Sequence, residues 1–280
     1  MDRSQQLKAI TKRIQSLPTL PQVVNKLTTM VESPEVTAKD VGKLIGSDQV
    51  LGAKVLRLVN SPFYGFPGRI SSISHAIILL GFNVIKGVVL SASVFDLMEK
   101  SMIGLWEHSL GCAVVSGRIC RVLNLSDPEE ISTAALLHDI GKVLIRVSLQ
   151  DDYEKIRGLV ENRNYSFREA ELEILGLDHA QIGSWLAQEW KLPERLTIPI
   201  TFHHEPHKAP KIRERVSIVH VADSIVRAFG VGSGGDPWVS RISPSAWETL
   251  GLSRFDLKEM ASQILDDLAE ADARLGAPED

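Results

Sequence analysis

Apolar residues recur at helical spacing along most of the chain. Val23, Val24 and Leu27 set the pattern, and Leu51, Val55, Leu58 and Val59 repeat it at i, i+4, i+7 and i+8. Nothing in the first hundred residues reads as a strand, and the punctuation between stripes is that of helix ends. A helix is expected over residues 4–16, ahead of Leu17-Pro18-Thr19-Leu20-Pro21, whose prolines favour an extended approach. Thr37 to Asp40 reads as a capping box for a short helix reaching Ile45, and Asp48 caps the next. Ser72 starts a helix that stops at Gly81, and Asn83 begins another running to Met98. Leu105 to Leu123 is a long helix, and after Asp127-Pro128 a buried helix is expected over Ile131–Ile145. A polar helix over Asp151–Asn164 is followed by a second capping box, Ser166 to Glu169, with a stop at Gly176. Asp178 caps a helix carrying Ile182, Leu186 and Trp190, and Pro193 opens one that ends at His203-His204. Arg213–Phe229 and Asp256–Leu275 complete the series, the last with Leu257, Met260, Ile264 and Leu268 on one face. The predicted fold class is all-α.

Composition narrows the functional classes. The 280 residues are 44% hydrophobic and 24% charged, ordinary for a globular protein with a sizeable core. A net charge of −4 provides no basic field for nucleic acid or an anionic membrane. The local run Lys211, Arg213 and Arg215 reads as a solvated helix start. Cys112 and Cys120 lie on one expected helix and cannot pair, so they read as buried thiols of a reducing compartment. The N-terminus lacks the apolar core of a signal peptide, and the apolar stretch Val84–Phe95 is interrupted by Lys86 and too short for a bilayer. A cytoplasmic protein without a membrane segment is expected. Gly230 to Gly235 reads as a flexible loop, not a phosphate cradle, because no strand precedes it.

The candidate chemistry starts at His138-Asp139, an imidazole and a carboxylate side by side within a buried apolar stretch. An unpaired buried charge costs several kcal/mol, roughly. A divalent metal removes that cost, since both groups are standard ligands of Zn, Mn and Fe; the alternative is a core histidine paired with its neighbour. Further candidates fall on other expected helices: His108 upstream, then His179, His203, His204 and Asp223 downstream. Helical bundles that collect inward-facing ligands in this way build dinuclear sites, and Asp139 is the natural bridge between two ions. Lys142, one turn beyond His138, stabilises phosphoryl charge or pairs with Asp139. His75 reads as a packing or surface residue, and His207 and His220 as bystanders, although His220 lies one turn before Asp223 and is placed to contribute.

The ordered set His108, His138-Asp139, Lys142, His179, His203-His204 and Asp223 resembles the HD superfamily of metal-dependent phosphohydrolases. More specifically the chain resembles the HDOD family, the HD-related output domain of bacterial signalling proteins. Leu17 to Pro21, Asn60 to Gly65 and Ser74 to Gly81 match its first part. Trp106 to Ser109, Leu136 to Lys142, Asp178 to Gly183 and Trp190 to Pro193 match its second. The resemblance spans 14–225, as an N-terminal helical bundle over 14–98 packed on an HD-like bundle over 99–225, and leaves 226–280 as a flexible glycine-rich loop and a C-terminal helix. It implies a regulatory signal-transduction module with a divalent metal site (Fe, Mn or Zn, two ions if filled). Such a module acts by binding a signalling protein or a nucleotide-like ligand; the alternative is a phosphohydrolase or phosphodiesterase using both ions. The related cyclic-di-GMP phosphodiesterases carry a Gly-Tyr-Pro signature after the His pair. Here Glu205 is present and Gly-Tyr-Pro is not, which argues against that substrate. The N-terminal helix and the acidic tail (Asp266, Asp267, Glu270, Asp272, Glu279, Asp280) are candidate contact surfaces.

Overall fold

A computed structural model describes residue 5 and residues 22–31, 33, 35–62, 64–66 and 68–275. The helix expected over 4–16, the Leu17–Pro21 motif, Phe63, Glu279 and Asp280 lie outside the described residues. Among the described residues every regular element is helical: α1 Gln22–Met30, α2 Ala38–Gly46, α3 Gln49–Val59, α4 Ile73–Ser101, α5 Leu105–Val122, α6 Pro128–Leu137, α7 Ile140–Ser148, α8 Gln150–Arg163, α9 Phe167–Leu175, α10 His179–Glu189, α11 Glu194–Phe202, α12 Arg213–Ala228, α13 Pro244–Leu250 and α14 Arg254–Leu275. The expected caps are in place. Thr37 and Ser166 form reciprocal capping boxes with Asp40 and Glu169, and the side chains of Asp48, Ser72 and Asp178 accept from backbone N–H groups of the following turn.

The spine is α4. It packs on α1, α2 and α3 and also on α5, α6 and α7. The break expected at Gly81 is present: its backbone is non-helical (φ 77°, ψ 164°), and α4 is two helical halves that meet at this kink. Ile73–Val94, which spans that kink, is long and apolar enough by length and composition to cross a membrane; 67% of its most apolar 18-residue window is buried within the fold, as in a core helix. Two polar contacts tie the N-terminal helices to the rest. Tyr64 Oη lies 2.9 Å from Thr133 Oγ1 on α6, and Lys86 Nζ donates to the Lys191 carbonyl at 3.1 Å. Asn60 closes the loop before α4 by pairing with both backbone groups of Ile70, at 2.7 and 2.8 Å.

One hydrophobic core runs from Val23 through α4 to Ile200. A second gathers α5, α6, α12 and α13 around Ile119, Ile131 and Val219, and α14 adds Met260 and Ile264 to it. Asp267, one of the acidic residues expected as a contact surface, is taken internally by Arg118 at 2.6 Å. The basic run is also paired: Lys211 with Glu194, and Arg215 with Glu130 and Asp127.

Candidate metal centre

The buried helix expected over Ile131–Ile145 is two helices, α6 and α7, which meet at His138-Asp139. The His138 ring Nδ1 donates to the Ala135 carbonyl at 2.6 Å, competing with the backbone N–H that would otherwise continue α6. Asp139 then leaves the helical region (φ −96°, ψ 9°) and becomes the N-cap of α7. The break aims both side chains into the same space. His203 repeats the device at the end of α11: its Nδ1 donates to the Ile200 carbonyl at 2.8 Å. An imidazole that donates through Nδ1 presents Nε2 as a lone pair, the form a metal ion requires.

All seven metal-ligand candidates converge. Asp139 is central, with each carboxylate oxygen facing a different group. Oδ2 lies 3.4 Å from His138 Nε2 and 3.6 Å from His108 Nε2, and the latter is 3.1 Å from Asp223 Oδ1. Oδ1 lies 3.0 Å from His179 Nε2 and 3.9 Å from His203 Nε2. His204 Nε2 faces His179 Nε2 at 2.8 Å. The site is buried: His108, His138, Asp139, His179 and His203 are each at most 1% exposed.

Two buried cations complete it. Lys142 Nζ donates to Asp139 Oδ2 and to the Gly234 carbonyl, both at 2.7 Å, so the pairing role expected for this lysine is the one it has here. Arg227, which the sequence reading passed over, donates from Nε to Asp223 Oδ1 at 2.8 Å and from Nη1 to Asp236 at 3.1 Å. Burial opposes the charges on Asp139 and Asp223. For Asp139, His138 and Lys142 reverse that effect; for Asp223, Arg227 and His108 do so, and both carboxyls stay well below the usual range. Burial lowers His108 despite Asp223, and burial with the neighbouring imidazoles holds His203 and His204 well below an ordinary histidine. The His pair is therefore held in the neutral form that a metal ion requires.

Glu171 is a second residue hidden from the sequence. On α9 it looks like any surface acid, yet it is fully buried and accepts from both Nδ1 (2.6 Å) and the backbone N–H (3.0 Å) of His179. Burial alone would lower His179, but Glu171 and Asp139 raise it to about 9. A carboxylate behind a histidine fixes its tautomer and orientation at metal sites. His220 is no bystander either. It donates from Nδ1 to the His203 carbonyl at 2.7 Å and accepts from Ser243 N–H at 2.9 Å, so it braces the ligand loop without a free nitrogen of its own. His75 and His207 are exposed, and Glu205 is held by Arg168 and Lys208 outside the centre.

The glycine run expected as a flexible loop lies across the centre. A Cβ on Gly232 would sit 2.3 Å from both the Gly104 carbonyl and the His108 nitrogen, and one on Gly235 would meet the Phe167 ring at 2.7 Å. Ser233 N–H donates to the Gly104 carbonyl at 2.8 Å, and Asp236 accepts from Phe167 N–H at 2.8 Å. A cleft of about 530 Å³, lined in part by Lys142, Arg168, His204, Arg227 and Trp238, reaches the His179–His204 edge.

The donor set fits divalent metal. His203 Nε2 is buried without a hydrogen-bond partner, 3.9 Å from Asp139 Oδ1, a costly arrangement unless something else engages it. An ion between the two groups would do so.

Imidazoles and carboxylates drawn from α5, the α6–α7 joint, α10, the end of α11 and α12 around one shared aspartate make this a helical protein with a candidate metal centre. The chain belongs to the HDOD domain family, whose profile matches residues 17–206. An uncharacterised protein of Treponema pallidum is 27% identical over 230 residues, covering 78% of this chain and 44% of that protein, so the chain spans less than half the length of that relative. Among solved structures, an HDOD domain protein of unknown function from Geobacter sulfurreducens is 27% identical with a TM-score of 0.72, covering 97% of this chain and 99% of that one. A candidate phosphohydrolase from Shewanella amazonensis is 25% identical with a TM-score of 0.68, covering 95% of this chain and 98% of that one.

Proposed function

We propose that this chain is a cytoplasmic signalling module whose HD-type centre holds divalent metal and which acts by binding, not by turnover. One ion would be held by His108, His138, Asp139 and Asp223, and a second by Asp139, His179, His203 and His204. Iron, manganese and zinc all suit such ligands. The observation that carries the reading is the closure of the centre. Its first half lies beneath the Gly232–Asp236 segment, and Lys142 and Arg227 already occupy the carboxylate oxygens nearest the covering loop. Catalytic metal sites keep a coordination position open to substrate. The signal arrives through a protein partner or a nucleotide-like ligand, and the cleft at the His179–His204 edge is where a small ligand would reach the centre. The free buried thiols Cys112 and Cys120 accord with a reducing cytoplasm.

A second reading is favoured by that same cleft. Arg168 and Arg227 along it suit a phosphate ester. When bound, paired divalent ions supply an activated water and polarise a phosphoryl oxygen. The deciding experiment is hydrolysis of bis-p-nitrophenyl phosphate and of cyclic dinucleotides by metal-loaded protein, beside a His138→Ala, Asp139→Ala variant. The binding-module reading predicts equal background rates. Metal-dependent turnover abolished in the variant would establish the phosphohydrolase instead.

A further inference from the structure

Cys112 is one helical turn beyond His108 on α5, a spacing that places the two side chains on one face. It is fully buried, and its Sγ lies 3.7 Å from His108 Nε2. The ligand atoms of His108, Cys112, His138 and Asp223 all lie within 4.8 Å of one another. We propose that Cys112 is a ligand of the ion on the His108 side of the centre, and that this half-site consequently selects zinc or iron(II) over manganese or magnesium. The proposal rests on the metal-centre reading above and adds to it a ligand and a metal preference.

Three observations support it. First, the spacing suits a shared ion. Bonds of about 2.3 Å to sulfur and about 2.0 Å to nitrogen, across a tetrahedral angle, put the two atoms roughly 3.5 Å apart. Second, the charge balance calls for another anion. Arg227 pairs with Asp223 and Lys142 with Asp139, so without the sulfur this half-site presents no surplus negative charge to a divalent cation. A thiolate supplies it, the thiol proton leaving to solvent as the ion binds. Third, Cys112 and Cys120 are both buried in the same apolar cluster on one helix, but only Cys112 falls in the group of closely spaced ligand atoms. Cys120 serves as an internal control. Soft thiolate ligation favours zinc and iron over the hard oxygen-seeking ions.

The test is cobalt(II) substitution of the chelator-stripped full chain under anaerobic conditions. Thiolate ligation produces an intense near-ultraviolet charge-transfer band, whereas nitrogen and oxygen ligands alone give only weak visible bands. The expected parent spectrum has both. Cys112→Ser loses the near-ultraviolet band and keeps the visible ones from the remaining ligands, and Cys120→Ser keeps both. Should a serine hydroxyl at this buried position prevent folding, Cys112→Ala makes the same comparison, and the parent spectrum needs no variant. Visible bands without the near-ultraviolet band in the parent, or a near-ultraviolet band that survives loss of Cys112, would overturn the proposal while leaving the metal centre standing. No cobalt bands at all would overturn both.

Discussion

Asp139→Ala destabilises the metal-free protein by about 3–5 kcal/mol, measured by urea unfolding in the presence of a chelator. Lys142 is the reason. Its ammonium is fully buried, and its two hydrogen-bond acceptors are Asp139 Oδ2 and the Gly234 carbonyl. Removing the carboxylate strands a positive charge where no water reaches it, next to His138 and His179. The loss comes from the orphaned partner more than from the missing attraction. An Asp139→Ala, Lys142→Met double variant therefore recovers most of the stability, because an apolar chain of similar length needs no counter-charge. Equal losses in the single and double variants would show that Lys142 is not held as described. Lys142 and Arg227 thus neutralise the two central carboxylates, Asp139 and Asp223, internally.

Gly141→Ala has the second large effect, and it acts on geometry. A Cβ at Gly141 would lie 2.0 Å from the His179 carbonyl oxygen and 2.9 Å from the Gly183 nitrogen. Both are backbone atoms, so no side chain can swing aside and α7 must move away from α10. Overpacking of this kind costs about 1–3 kcal/mol, occasionally more. His179 is the first residue of α10, and its Nε2 stands 3.0 Å from Asp139. Separating the helices pulls the second half of the centre away from the first. The expected result is a destabilised protein that keeps one ion and loses the other. Gly158 in α8 is the contrast: a Cβ there meets nothing within 4 Å, so Gly158→Ala stabilises by about 1 kcal/mol. Calorimetry and metal analysis of the two variants check both expectations.

The helices and the ligand order were readable because each depends on local chemistry. Thr37, Ser166 and Asp178 advertise helix starts by their own side chains, and an imidazole in an apolar stretch needs a partner wherever it sits. Other features depend on what meets in space. Glu171 sits in an amphipathic helix and differs in sequence from Glu173 in no way that predicts burial; only the approach of α10 turns it toward His179. Arg227 falls one turn after Asp223 near the end of a helix, where a basic residue is unremarked. The break at His138-Asp139 follows from the ring competing for a backbone carbonyl, which periodicity does not register. The glycine run was the most misleading stretch. Composition alone gives the reading of a flexible linker, whereas Gly232 is small because the backbone of α5 passes beneath it.

The central claim is a metal-holding HD-type centre. Its most direct test is the metal content of protein purified without an affinity tag, beside the His138→Ala, Asp139→Ala double variant. The account predicts about two equivalents of iron, manganese or zinc in the parent and their loss in the variant. Folded parent protein that remains free of metal after exposure to all three ions would contradict it.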